Sequence, residues 1–380
     1  MSRPDEECPN LSRCQASRTP DESVRILFLS DTHLGFDRPL HPRVKKRRRG
    51  EDFFRNFRIA LEPARCGKVD AVVHGGDVFF RARIPPGLVL DALDCLRSVT
   101  ELGVPVFIVP GNHERAALPY PMFWNQPGIH VFDRPRTFRL AVRDRTVAIS
   151  GFPFVWSDLR QTFPQILSNT RWMEQDADIR LLCLHQACEG ATVGPSDFCF
   201  YDRADTIPGS LIPSEFAAVL SGHIHRHQVL RTDREGGRLG CPVIYPGSVE
   251  RTSMAERGEE KGFLTLQFAP SQSGAGCLTE TSFHRLPTRP MVVLEFDLGG
   301  VSETDLRERI RRSLRALDPS SIVRIRSPET IPASLRRVLS APALRSLAPE
   351  TMTVDLGFPA RSRAAEPSRD PTVLGRPFRA

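Results

Sequence analysis

Short apolar runs recur along the first two thirds of the chain and predict a series of buried β-strands. Each run is rich in Val, Ile and Leu and is bounded by Gly, Pro or polar positions, which is typical of strands that are covered on both faces. The runs are VRILFLS, DAVVHGG, PVFIVPG, TVAISGF, IRLLCLH, AAVLSGH and PVIYPGS. They predict sheets whose strands are largely removed from solvent.

Two stretches between the early runs have helical spacing instead. In GEDFFRNFRIALEP the apolar positions of one face are Phe53, Phe54, Phe57 and Leu61. We expect this helix to stop at Pro63, and a second helix in PPGLVLDALDCLRSVTELG to run between Pro86 and Gly103. Strands that alternate with amphipathic helices predict an α/β layered fold, with sheets covered by helices.

The pattern changes after about residue 286. MVVLEFDLGG and SIVRIRSP read as strands, SETDLRERIRRSLRAL reads as a helix between them, and a further helical stretch from Ala333 to Leu347 precedes TMTVDL. A chain of 380 residues has room for one large domain and one small domain. The predicted organisation is a disordered leader at 1–22, a main domain at 23–286, a small αβ domain at 287–356 and a disordered basic tail at 357–380.

Polar side chains follow five of the apolar runs, at the point where each strand is expected to end. In chain order they are Asp31 and His33, then Asp77, then Asn112 and His113, then His185, and finally His223 and His225. The carboxyl ends of strands are where loops converge on ligands in α/β sheets. Each motif alone is a common loop, but the five together predict one shared site.

Seven of these side chains are metal donors, which is too many for one tetrahedral ion. The predicted ligands are Asp31, His33, Asp77, Asn112, His185, His223 and His225. An imidazole-rich set favours manganese, iron or zinc over magnesium or calcium. We therefore expect two divalent ions per chain, with Mn²⁺ first and Fe or Zn as alternatives. His113 has no ligand role and is the candidate general acid for a leaving oxygen.

The amino-acid composition favours an anionic binding partner. The formal net charge is +7, and of the 52 basic residues only four are Lys. Summed positive charge concentrates polyanions, although an excess of Arg also arises from genomic base composition. Six basic positions are candidate contacts to a phosphate backbone, or else solvated loop residues: Lys45, Lys46, Arg47, Arg48, Arg81 and Arg83.

Nothing in the sequence suggests a membrane or secretion. No apolar run approaches the length of about 20 residues that spans a bilayer. The stretch MSRPDEECPNLSRCQASRTPDES has no apolar segment, and the nine Cys show no metal or disulfide spacing. We expect a reduced, cytoplasmic protein.

The set D-x-H, G-D, G-N-H-E, H and G-H-x-H, which spans Asp31 to His225, resembles the signature of the calcineurin-like metallophosphoesterase superfamily. This resemblance implies a β-sandwich flanked by helices with a binuclear centre. It implies that Asp31, His33 and His225 hold one ion, that Asn112, His185 and His223 hold the other, and that Asp77 bridges them.

Within that superfamily, LSDTHLGF and YPGSVERTSMAERGEEKGF resemble the DNA double-strand-break repair nucleases of the SbcD type. The second motif lacks the G-D-x-V-D-R-G continuation of serine/threonine protein phosphatases. The small αβ domain resembles the capping domain with which these nucleases touch DNA. One position departs from the family: Phe80 stands where it has a histidine, three residues after Asp77.

The resemblance implies a DNA exonuclease or endonuclease of DNA repair, in which a metal-bridging hydroxide attacks phosphorus and His113 assists the leaving 3′ oxygen. It also implies a homodimer, formed through the two helices after the first and second motifs, and an SMC-like ATPase partner of the SbcC type. Two alternatives stay open. One is a small-molecule or cyclic-nucleotide phosphodiesterase on the same metal site, and the other is a non-catalytic scaffold subunit.

Overall fold

Two six-stranded sheets form the framework of the larger part of the molecule. The computed structural model describes residues 23–38, 48–114, 123, 126–201, 203–233, 235–271, 274–328 and 330–357. The chain divides into two units, residues 1–288 and 289–380. The predicted leader, and the predicted tail apart from residue 357, lie outside the described residues.

The first sheet has the strand order β16-β15-β1-β2-β3-β4. Its strands are β1 (Val24–Leu29), β2 (Ala71–His74), β3 (Val106–Ile108), β4 (Ile129–Val131), β15 (Gly262–Ala269) and β16 (Cys277–Arg285). Strands β1 to β4 are mutually parallel, and β15 is antiparallel to both β1 and β16.

The second sheet has the order β13-β14-β12-β7-β6-β5. Its strands are β5 (Arg136–Val142), β6 (Arg145–Gly151), β7 (Ile179–Leu184), β12 (Ala218–Ser221), β13 (Gln228–Thr232) and β14 (Arg238–Tyr245). The four central strands are parallel and the two edge strands are antiparallel to their neighbours. Two small ribbons pair β8 (Ala187–Cys188) with β11 (Thr206–Ile207) and β9 (Thr192–Val193) with β10 (Phe198–Cys199).

The side-chain alternation of each strand separates two cores. Along β1, Val24, Ile26 and Phe28 pack into the core that both sheets share. Leu27 and Leu29 point to the opposite face, where they pack against helices α1 (Gly50–Arg65) and α2 (Pro86–Thr100). The outer face of the second sheet packs against helix α3 (Leu159–Asn169) and the loops around it. The predicted α/β sandwich flanked by helices is confirmed.

Helix α1 continues past the position where Pro63 was expected to end it. The missing N–H of Pro63 removes one helical hydrogen bond, but the last turn holds because the Cys66 N–H donates to the Glu62 carbonyl at 2.9 Å. Helix α2 begins at Pro86 as predicted, and the chain leaves it through Gly103 with φ +81°.

The second unit is a three-stranded parallel sheet with helices. Its elements are β17 (Met291–Glu295), α4 (Glu303–Arg315), β18 (Ile322–Arg326), a 3-10 turn (Ala333–Leu335), α5 (Ala341–Leu347) and β19 (Thr353–Leu356). The helical stretch predicted from Ala333 to Leu347 is interrupted. Pro342 is tolerated only in a first helical turn, so α5 starts at Ala341 and the Ser340 hydroxyl caps it.

The strand ends that carry the predicted donors are level with one another. Leu29 pairs with His74, and His74 pairs with Ile108, so β1, β2 and β3 finish side by side. In the second sheet Leu184 pairs with Ser221 in the same way. The loops after these five strands therefore meet at one edge of the sandwich. No helix among the described residues is long and apolar enough to cross a membrane.

Candidate metal centre

All seven predicted ligands meet at this edge of the two sheets. Strands β1, β2 and β3 lead into the loops with Asp31, His33, Asp77 and Asn112, and β7 and β12 lead to His185, His223 and His225. Five of them and His113 form three overlapping groups, and within each group the ligand atoms lie within 4.8 Å of one another. The groups are Asp31, His33 and His225; His33, Asp77 and His113; and Asp31, Asp77 and His185. Asp31, His33 and His185 are completely buried.

Four of these ligands lie on backbone in the left-handed region. The φ angles are 52° at Asp31, 43° at His33, 52° at Asp77 and 80° at His223. Residues with a β-carbon visit this region at a cost of about 1–2 kcal/mol. Backbone hydrogen bonds hold the first two loops in place, since the Asp31 N–H donates to the Gly76 carbonyl at 2.9 Å and the His33 N–H to the Asp77 carbonyl at 3.0 Å. Such strain is typical of functional sites.

Asp31, His33 and His225 form the first group of donors. The Nε2 atoms of His33 and His225 lie 2.9 Å apart, and Asp31 Oδ1 is 3.9 Å from the first and 3.7 Å from the second. Asp31 Oδ1 is buried and has no hydrogen-bond partner among the described residues. Burial lowers the pKa of His33 well below its usual value, which favours the neutral ring that coordinates metals. A buried carboxylate oxygen without a hydrogen-bond partner that faces two imidazole nitrogens fits a cation.

Asn112, His185 and His223 form the second group. Asn112 Oδ1 is 3.0 Å from His185 Nε2 and 3.1 Å from His223 Nδ1. His185 Nδ1 lies 2.7 Å from the Gly75 carbonyl oxygen. A carbonyl can only accept, so Nδ1 carries the hydrogen and Nε2 faces the site. Burial lowers the pKa of His223 to about 3, so its ring is also neutral.

The Asp77 carboxylate lies between the two groups. Its Oδ2 is 3.4 Å from His185 Nε2 and 4.0 Å from His33 Nε2. Although burial acts in the other direction for both groups, His185 holds the pKa of Asp77 well below its usual value, and the Asp77 charge raises the pKa of His185 to about 9. A cation that binds His185 near neutral pH must therefore displace a proton. At Gly111 a β-carbon would lie 2.2 Å from Asp77 Oδ1, so only glycine fits.

His113 approaches the same point from the solvent side. Its Nδ1 donates to the Phe80 carbonyl at 2.5 Å, and its Nε2 is 3.8 Å from Asp77 Oδ2. Its ring centroid lies 4.8 Å from that of His33, and its side chain is 34% exposed. The Nδ1 hydrogen bond fixes the ring, so Nε2 is the nitrogen that faces the site.

Phe80 lines the site where the resemblance implies a histidine. Its ring packs at 4.8 Å from Phe36, and its centroid is 5.5 Å from the His113 ring and 6.0 Å from the His33 ring. The side chain offers no ligand atom and no proton. It forms an apolar wall beside the two histidines.

The predicted DNA contacts are distributed unevenly. Arg81 and Arg83 are exposed in the loop after β2, and the Arg81 guanidinium lies 5.8 Å from the Phe80 ring centroid. Arg48 forms an ion pair with Asp37. Lys45, Lys46 and Arg47 lie outside the described residues. Arg49, which follows Arg48 in the sequence, is buried, with its guanidinium 3.2 Å from Glu250 Oε1.

Glu256 and Lys261 lie behind His225 and had no role in the prediction from sequence. Glu256 Oε1 is 3.5 Å from His225 Nδ1, and Lys261 Nζ is 2.7 Å from Glu256 Oε2 and 2.8 Å from the His225 carbonyl. Although burial acts in the opposite direction, His225 and Lys261 hold the pKa of Glu256 well below its usual value. The charged carboxylate therefore orients the ring so that Nε2 faces the site. The signal was present in the ERGEEKG segment, but its acids could not be ranked without the fold.

Two further buried groups brace the loops. Glu114 accepts from the Phe79 N–H at 2.8 Å and from the Gly111 N–H at 2.9 Å, and burial with the nearby Asp77 charge raises its pKa to about 8. His74 is fully buried and its Nδ1 accepts the Gly76 N–H at 3.2 Å. Its other nitrogen must then donate to the Thr32 hydroxyl at 3.0 Å.

Glu256→Gln is expected to weaken metal binding by about 10- to 100-fold, because the neutral amide orients and polarises His225 less strongly. Calorimetric titration of the metal-free protein with Mn²⁺ measures this directly. The matched control is Glu260→Gln, since Glu260 is 53% exposed and pairs with Arg285 on the surface. A folded Glu256→Gln protein that binds Mn²⁺ as tightly as the wild type would contradict the assignment.

Comparison with known proteins adds a family match and several relatives. Residues 24–227 match the sequence model of the Calcineurin-like phosphoesterase family. The DNA double-strand break repair protein Mre11 of Haloferax volcanii is 27% identical over 295 residues, which are 78% of this chain and 59% of that protein. The protein of the same name from Methanosarcina mazei is 27% identical over 292 residues, 74% of this chain and 41% of that protein.

The chain thus spans about half the length of these two relatives. Among solved structures, a dimetal phosphatase from Danio rerio is 13% identical with a TM-score of 0.43, and the match covers 70% of this chain and 100% of that one.

Proposed function

The chain belongs to the calcineurin-like phosphoesterase family, and on that premise we propose that it is a two-metal phosphodiesterase that cleaves DNA. The observation that carries the proposal is the position of the Asp77 carboxylate, within 4.0 Å of donors from both groups. A shared carboxylate between two clusters is what a two-ion site requires. The relatives named DNA double-strand break repair protein support DNA as the substrate.

The donor set fits two divalent cations. We assign Asp31, His33 and His225 to one ion, Asn112, His185 and His223 to the other, and Asp77 to both. Bound there, the cations supply charge that neutralises a phosphodiester and lowers the pKa of a water so that it is a nucleophile near neutral pH. The nitrogen-rich set favours transition-metal ions over Mg²⁺ and Ca²⁺, and we propose Mn²⁺ first, with Fe or Zn as alternatives.

The protein's own groups complete the reaction. His113 donates the proton on Nε2 to the leaving 3′ oxygen, and its Nδ1 hydrogen bond to the Phe80 carbonyl holds the ring in position for that transfer. Arg81 lies exposed beside Phe80, and Arg83 is exposed two residues further along the same loop; both are assigned to contacts with flanking phosphates. Phe80 excludes water from the same side and takes no part in proton transfer.

The test is hydrolysis by the purified chain, with Mn²⁺, of an end-labelled linear DNA duplex and of a small aryl phosphodiester. Cleavage of both substrates that stops with a chelator is the expected result, and the ladder of products distinguishes exonuclease from endonuclease action. Turnover of the small diester alone would overturn the assignment to DNA. Turnover of neither substrate, with bound Mn²⁺ confirmed, would overturn the enzymatic proposal for the isolated chain.

A homodimer and an SMC-like ATPase partner complete the proposal. The homodimer is supported by two apolar side chains on the outer faces of the predicted dimer helices. Ile59 of α1 is 37% exposed and Leu90 of α2 is 48% exposed. We expect sedimentation at micromolar concentration to give a dimer, and the double change Ile59→Asp and Leu90→Asp to give a monomer. If the wild-type protein sediments only as a monomer, the dimer proposal is wrong.

A further inference from the structure

We propose that Phe154 and Trp156 form an aromatic shelf on which an unpaired nucleobase of the substrate stacks. The inference rests on the proposed function and names a substrate-binding surface of the same site. Neither residue belongs to the family motifs.

The exposure of Trp156 is the first observation. Its side chain is 58% exposed, whereas Trp172 is 8% exposed and packs into a core. Large aromatic side chains contribute most to stability when they are buried, and an exposed one next to a polar site is typical of a binding surface. The exposure of Trp156 therefore leaves ring surface available to a ligand.

The position of the shelf is the second observation. The Trp156 and Phe154 ring centroids are 5.0 Å apart with an interplanar angle of 77°. The Phe154 ring lies 5.5 Å from the His223 ring and 6.0 Å from the His185 ring. A continuous row of rings thus leads from solvent to the second group of metal ligands.

The shelf is fixed to the loops of the site. The Phe154 N–H donates to the Pro110 carbonyl at 3.0 Å, and Pro110 begins the loop that carries Asn112. The Val155 carbonyl accepts from Gln186 Nε2 at 3.1 Å, and Gln186 is buried next to His185. A segment tied at both points presents Trp156 to solvent at a constant distance from the centre.

The chemistry of the shelf fits a base better than a phosphate or a sugar. Every nucleobase has an apolar face that stacks on aromatic rings regardless of sequence, but bases inside a duplex already stack on their neighbours. The shelf lies beside His185 and His223, whereas His113 lies beside His33 and Asp77. A strand that crosses the centre can therefore rest one base on the shelf while its leaving oxygen faces His113.

The test compares binding of a nuclease-resistant phosphorothioate strand with binding of an abasic strand of equal length, by fluorescence anisotropy with Mn²⁺. We expect Trp156→Ala to lower affinity for the base-containing strand by about 5- to 150-fold and to leave affinity for the abasic strand unchanged. Trp156→Phe, which keeps a stacking face, should stay close to wild type. The matched control is Leu102→Ala, because Leu102 is 60% exposed and precedes β3, at the end of the sheet away from the site.

Two results would overturn the shelf: Trp156→Ala that binds both strands as the wild type does, or an equal loss for both strands. Hydrolysis of the aryl diester separates this from the proposed function. If the wild type hydrolyses no diester yet Trp156→Ala loses base-dependent affinity, the shelf stands and the phosphodiesterase proposal fails. If hydrolysis is normal and Trp156→Ala changes nothing, the phosphodiesterase proposal stands and the shelf is overturned.

Discussion

Asp77→Asn is expected to lower phosphodiester hydrolysis by about 10³-fold or more, since loss of the charge that the two proposed ions would share removes several kcal/mol of transition-state stabilisation. The amide is nearly the same size as the carboxylate. Its oxygen can still accept the backbone N–H of His113, which Asp77 Oδ1 accepts at 2.9 Å. It cannot balance the charge of two cations. We therefore expect bound Mn²⁺, measured by mass spectrometry of the purified protein, to fall together with activity.

The control for this change lies at the other end of the same strand. Asp70 precedes β2 and pairs with Arg143 at 3.1 Å, so Asp70→Asn makes the same chemical change far from the strand ends that carry ligands. It should retain both metal and activity. An Asp77→Asn protein that is folded, by circular dichroism, and still hydrolyses the aryl diester at the wild-type rate would show that Asp77 is not the shared ligand.

His113→Gln is expected to slow DNA cleavage by about 10²- to 10⁴-fold while metal content stays unchanged, because a general acid contributes that much and glutamine has no proton to give. The effect should depend on the leaving group. An alkoxide, such as the 3′ oxygen of DNA, needs protonation, whereas a nitrophenolate leaves without it. We therefore expect a much smaller loss on a nitrophenyl diester, measured as kcat with Mn²⁺.

A structural role for His113 would lower both rates equally, and that outcome would contradict the assignment. His130→Gln serves as the matched control, since His130 is on β4 and its ring stacks at 4.9 Å on Phe107 in the sheet core. It should leave the ratio of the two rates at the wild-type value, whatever it does to stability.

The central strands and the candidate donors could be predicted because the apolar run of each strand and the polar motif after it support each other. Each motif follows an apolar run, so strand and ligand are read from one local pattern, as for Asp31 after β1 and His185 after β7. The edge strand β16 gave no such signal. Its sequence, CLTETSFHR, is polar because much of the strand is exposed, and only its pairing with β15 defines it.

Long-range contacts account for the rest. Glu256 is 31 positions from His225, and nothing in ERGEEKG indicates which acid turns inward until the 3-10 turn and the ion pair with Lys261 are seen. No sequence pattern indicates a role for Trp156 either, because its exposure and its proximity to His223 are properties of the folded chain. Spacing along the sequence predicts which donor residues lie at the end of a strand. It does not predict which residues of a distant loop contact them in the fold.

The left-handed backbone at Asp31, His33, Asp77 and His223 has a consequence for engineering. With its unpaired buried oxygen at Asp31, this edge of the sandwich is the part of the fold that conformational energy alone would not select. Glycine would relieve about 1–2 kcal/mol of backbone strain at each of these positions. Selection of this chain only for a higher melting temperature would therefore act against the proposed metal ligands at these positions.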